Sequence, residues 1–98
     1  MEAESVEPQK AHVRLYTRPG CHLCEEARQE MLAAGCADQY VLEEINIDGD
    51  PMLLERYRFE IPVITINGHK RFKYRLTAVE FRKAVERSRQ GKEVDSSQ

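Results

Sequence analysis

Two cysteines three residues apart, in Cys21-His22-Leu23-Cys24, are the residues of this 98-residue chain best suited to chemistry. They follow a short apolar run, Val13-Arg14-Leu15-Tyr16, and stand at the head of a helical pattern. Cysteine attacks as its thiolate. A thiol at a helix N-terminus faces unpaired backbone N–H groups and the positive end of the helix dipole, and both favour the charged form. Cys21 is therefore expected to be the more acidic thiol. A residue three positions on lies on the same side of the first helical turn, so Cys24 can reach the Cys21 sulfur. Such a pair can attack with one thiol and release with the other. The main rival chemistry is half of a zinc site. Its other half is missing: Cys36 lies beyond the helix-ending Gly35, and His12, His22 and His69 are dispersed without ligand spacing. No metal is expected, and Cys36 reads as a small, partly buried filler. His22, between the thiols, is a residue whose charged imidazole would stabilise a nearby thiolate.

The segments around the pair must position it. Val13 to Tyr16 reads as a first strand, stopped by Thr17-Arg18-Pro19-Gly20. A helix follows from about Cys21 to Ala34, with Leu23, Ala27, Met31 and Ala34 on one face and Gly35 as its stop. Tyr40 to Ile47 is a second strand, closed by Asp48-Gly49-Asp50-Pro51. Asp50 is an N-cap and Pro51 a first helical residue for a short helix that runs to Arg58. Ile61 to Ile66 is a third strand, and Asn67-Gly68 is a strong hairpin signal, because both central residues of a type I′ turn need positive φ. Arg71 to Tyr74 is then an antiparallel fourth strand. Thr77-Ala78-Val79-Glu80 forms a capping box, Thr77 bonding forward and Glu80 back, for a last helix to about Arg89. Its inward stripe is Phe81, Ala84, Val85 and Ser88.

This βαβ-α-ββα order predicts an α/β domain with a four-stranded mixed sheet and three flanking helices. The strand-helix-strand unit implies a parallel pair, to which the hairpin adds an antiparallel one. Cys21 falls at the carboxyl end of a strand, where open α/β sheets carry their sites. A chain of this length makes one domain, here residues 12–89, able to bury roughly two-thirds of its unfolded surface without staples. The polar ends, residues 1–11 and 90–98, read as disordered tails.

Composition narrows the function classes. Fifteen basic and 17 acidic residues give no reason to expect nucleic acid. Three cysteines do not make a secreted disulfide framework and fit a reducing compartment. The acidic N-terminus lacks the apolar core of a signal peptide, and no apolar stretch approaches a membrane span. The reading is a soluble, cytoplasmic monomer without membrane partners. Arg71, Lys73 and Arg75 read as the solvated charges of an edge strand. With Arg82, Lys83, Arg87 and Arg89 they concentrate charge toward the C-terminal end, where a docking surface for an acidic partner is the alternative.

The run from Leu15 through Pro19-Gly20-Cys21-His22-Leu23-Cys24 resembles the active-site strand and turn of glutaredoxins and of small glutaredoxin-like proteins of the thioredoxin superfamily. Ile61-Pro62-Val63 resembles their second signature, and the likeness extends over about residues 12 to 89. The resemblance implies a thioredoxin/glutaredoxin-like fold and a thiol-disulfide oxidoreductase acting on disulfides or glutathione mixed disulfides. Cys21 would attack and Cys24 resolve. Pro62 would be a cis-proline beside the active sulfur, with the Ile61 backbone pairing with an extended substrate. Arg18 matches a basic residue that helps bind glutathione, and Thr77 stands where the γ-glutamyl group would lie. Partners would be disulfide-containing or glutathionylated proteins. Electrons would come from glutathione or a thioredoxin-reductase type donor, with no bound cofactor. Two features depart from the common glutaredoxin pattern. Tyr74-Arg75-Leu76 stands where paired glycines are usual, and His22-Leu23 replaces a proline and an aromatic residue. The alternative is a non-catalytic module of the same fold that binds a partner, senses redox state or holds metal through its cysteines.

Overall fold

The computed structural model describes residues 10–90. Strand β1 (Ala11–Thr17) leads through a tight turn into helix α1 (His22–Ala33). Strand β2 (Tyr40–Asn46) follows, then helix α2 (Pro51–Tyr57), the hairpin of β3 (Val63–Ile66) and β4 (His69–Lys73), and helix α3 (Ala78–Gln90). Short 3-10 turns at Ala37–Gln39 and Ile47–Gly49 lead into and out of β2. The sheet order is β2-β1-β3-β4, with β1 parallel to β2 and antiparallel to β3, and β3 antiparallel to β4. This is the mixed sheet expected from the element order. The predicted tails lie outside the described residues except at their inner ends, where Ala11 begins β1 and Gln90 closes α3.

Local sequence accounts for most of the boundaries. Gly35, in left-handed backbone with φ 70°, ends α1 just after its C-cap. The Asp50 carboxylate accepts the Met52 and Leu53 N–H groups, while Pro51 takes the first position of α2, where no N–H is needed. Asn67 and Gly68 adopt φ of 51° and 86°, which closes the β3–β4 hairpin in two residues. The fourth strand therefore begins at His69, earlier than the expected Arg71. It ends at Lys73 because Tyr74 turns into left-handed backbone, φ 71°, and leaves the ladder.

Two apolar clusters hold the layers together. Val13, Leu15, Ile64 and Ile66 of the sheet pack against Ala27 and Met31 of α1 and Phe81 and Val85 of α3. Tyr16 and Val63 point to the opposite face and pack with Ile47 and Tyr57. This alternation is the period-two pleat of a sheet covered on both sides, and it fixes the register that brings the two sequence motifs together.

Candidate active site

Cys21 is the N-cap residue of α1, with extended backbone. Its position follows from the preceding turn: Pro19 and Gly20, the latter at φ 80°, turn the chain out of β1, and the Cys21 N–H returns to the Arg18 carbonyl at 3.3 Å. An N-cap side chain accepts from the first helical turn, and here the Cys21 Sγ accepts the Cys24 N–H at 3.2 Å. That donor and the helix dipole favour the thiolate whenever the pair is reduced. Cys21 and Cys24 are joined as a disulfide, with Cα atoms 5.2 Å apart. Cys24 lies beneath, only 1% exposed, while Cys21 is half-buried and open to a partner. One sulfur is thus partly exposed and the other lies buried within bonding reach of it.

The second motif arrives at the same end of the sheet. Val63 pairs with Tyr16, so Pro62 stands level with the exit of β1 that carries the dithiol. The Ile61–Pro62 peptide is cis and Pro62 is buried. The Pro62 carbonyl accepts the Tyr74 N–H at 2.9 Å, which anchors the left-handed turn beside it. The Ile61 N–H donates to the Tyr57 carbonyl at 3.1 Å and is already engaged.

The remaining predicted residues divide. Arg18 borders the turn, and its guanidinium pairs with Asp48 at 3.0 Å. His22 is 87% exposed and its Nε2 lies 3.3 Å from Glu26, so its nearest charged neighbour is a carboxylate. Thr77 lies across a groove from the dithiol helix and caps α3, its Oγ1 accepting the Glu80 N–H at 3.1 Å. The expected return bond from Glu80 is not among the contacts of the described residues. Glu30 of α1 supplies the second acceptor instead, taking the Ala78 N–H at 2.8 Å. Glu30 is not among the residues singled out from the sequence. Its signal was its spacing, seven residues after Leu23 and hence on the same helical face.

Between α1 and the start of α3 runs a groove of about 420 Å³, lined in part by Leu23, Glu26, Glu30, Tyr74, Arg75 and Thr77. It reaches Leu23, between the two cysteines. Its only cation is Arg75, which lies 3.4 Å from Glu26. Among the described residues no cluster of histidine, cysteine and carboxylate gathers to hold a metal. No helix among the described residues is long and apolar enough to cross a membrane. Cys36 is buried far from the site's chemistry, and burial pushes its thiol up.

A mixed sheet with a dithiol at a helix N-cap and a proline motif beside it defines a thioredoxin-fold protein of the Cys-x-x-Cys type. The chain matches the model of the glutaredoxin-like domain (DUF836) over residues 12–87 and belongs to that family. It is 31% identical over 71 residues to the glutaredoxin-like protein YDR286C homolog of Dictyostelium discoideum, a match spanning about two thirds, 66%, of each chain. Protein Ne2328 of Nitrosomonas europaea, known from a solution structure, superposes with a TM-score of 0.65 at 32% identity, covering 82% of this chain and 94% of that one. Chloroplastic thioredoxin z shares the fold at 17% identity, with a TM-score of 0.64 over 81% of this chain and 78% of its own.

Proposed function

We propose that the chain is a thiol-disulfide oxidoreductase that reduces protein disulfides through Cys21. The observation that carries this reading is the asymmetry of the pair: a half-buried Cys21 sulfur at the N-cap, accepting a backbone N–H, over a buried Cys24 within disulfide reach. The Cys21 thiolate attacks one sulfur of a target disulfide, forming a mixed disulfide and releasing the other target sulfur as a thiolate. Cys24, losing its proton, then attacks the Cys21 sulfur. The second target thiolate leaves, the target gains two electrons and two protons, and Cys21–Cys24 remains oxidised. A dithiol donor of the thioredoxin-reductase type, or two glutathione molecules, returns it to the reduced state.

The surroundings favour protein disulfides over glutathione mixed disulfides. Family resemblance puts a γ-glutamyl group beside Thr77, but in this chain the adjoining donor of α3, the Ala78 N–H, already binds the Glu30 carboxylate. Glu26 and Glu80 add further negative charge to the same groove. A second carboxylate brought there meets repulsion and a donor already taken. Tyr74, in the glycine-like conformation, further narrows the approach with its ring.

Rates of reduction of a protein disulfide and of a small glutathione mixed disulfide, compared for wild type and Cys21→Ser, test the proposal. Wild type should turn over the protein disulfide faster, and Cys21→Ser should fall to background on both. Activity that survives in Cys21→Ser, or none in wild type, would remove it.

A further inference from the structure

We propose that the groove between β4 and α3, which shares Glu80 with the groove beside the dithiol helix, is a docking site for an acidic segment of a partner protein. It holds about 420 Å³ and is lined by Arg71, Phe72, Glu80, Lys83, Ala84 and Arg87. Phe72 and Ala84 are half-buried and form an apolar floor. Three cations rim it, with Glu80 as its one carboxylate.

The cations differ from six others among the described residues. Arg14, Arg18, Arg28, Lys70, Arg75 and Arg82 each face a carboxylate within 4.0 Å. Arg71, Lys83 and Arg87 have no such partner among the described residues. Lys83 and Arg87 stand one turn apart on α3, where like charges repel. The sheet adds the third cation by an irregularity. Ile64 pairs with Phe72 and Thr65 with Lys70, so Arg71 is the extra residue of a β-bulge. A bulge re-aims a side chain, and Arg71 borders the groove together with Phe72. Lys70 turns to the other face, to Glu60 and the Tyr57 ring.

Within the groove Glu80 is the one carboxylate set against the repulsion among three cations, and an acidic ligand would offset the remainder. The chain's net charge of −2 makes this patch a local exception that orients such a ligand. A protein segment fits better than a nucleic acid, because the floor is apolar and the cations are few.

Fluorescence anisotropy of the full chain with a short labelled oligoglutamate peptide, against an oligoglutamine peptide, tests the site. Oligoglutamate should bind, oligoglutamine should not, and the affinity should fall as salt rises. Arg71→Gln/Lys83→Gln/Arg87→Gln should weaken binding at least about tenfold, whereas Arg56→Gln/Arg58→Gln/Lys73→Gln should change it less than about twofold. Amide shifts of the wild type on peptide addition should centre on residues 71, 72 and 84, a readout that needs no variant to fold. Equal losses in both variants, or shifts centred elsewhere, would overturn the proposal. So would tighter binding of a single-stranded oligonucleotide. A tenfold gain in Glu2→Gln/Glu4→Gln/Glu7→Gln would overturn it too, by making the chain's own acidic segment the occupant.

Discussion

Cys21 and Cys24 are chemically identical and are made different by their places. One caps a helix and accepts a backbone donor, and the other is packed beneath it with almost no exposed surface. Cys36, 0% exposed, has a thiol pushed up by burial and is further from reaction still. Alkylation of the reduced native protein should therefore modify Cys21 well before Cys24 or Cys36, as peptide mass spectrometry would show, and first modification at Cys36 would refute the ordering. The thiol pair and the place of Cys21 at the helix N-cap were legible in the sequence, because capping is a local property. The environment of His22 was not. The imidazole faces Glu26, an exposed pair of little energetic weight, so His22→Ala should alter the reduction rate by less than about threefold. A larger drop would show that the imidazole supports the thiolate directly.

Elements announced by capping residues were read closely, and those set by tertiary approach were not. Asp50-Pro51 and Asn67-Gly68 set their helix and hairpin through their own backbone preferences. The limits of β4 depended on the left-handed turn at Tyr74, and the second cap of α3 on a carboxylate from another helix. Glu30 ties α1 to α3 beside the site, so Glu30→Ala should cost about 1 kcal/mol in denaturant unfolding. Glu30→Gln, which keeps an acceptor, should cost less, and equal losses would argue against the cap. The strands have an electrostatic signature as well. Hydrogen bonds from His12 and then Arg14 of β1 hold the Glu43 carboxyl of β2 below the usual range, and Lys70 does the same for Glu60. Because these values are lower in the folded state, the stabilisation is complete above the ordinary carboxylate range and is lost as pH falls through the depressed values. The thermal midpoint should drop on such acidification, and by less in Glu43→Gln. An unchanged drop would place the acid sensitivity elsewhere.

Over the whole molecule, one sheet with a core on each face holds two distant sequence motifs at one end. Phe81, fully buried and edge-on to Tyr40, packs α3 on that sheet. Its truncation to alanine should cost about 3–5 kcal/mol, a large part of a small domain's total stability of about 5–15 kcal/mol. Loss of the helix layer would release both Thr77 and Glu30 from the site. The overall arrangement was legible because alternating strand and helix patterns with right-handed crossovers leave few topologies. The groove between β4 and α3 was only half legible, since the bulge that turns Arg71 toward it leaves no mark in the sequence pattern. The central claim, that this framework presents Cys21 as the attacking thiol, is tested most directly by trapping. Reduced Cys24→Ser is mixed with a disulfide-bonded protein substrate, and the adduct is mapped by mass spectrometry. A single mixed disulfide through Cys21 is the expected result. No adduct, or one through Cys36, would contradict it.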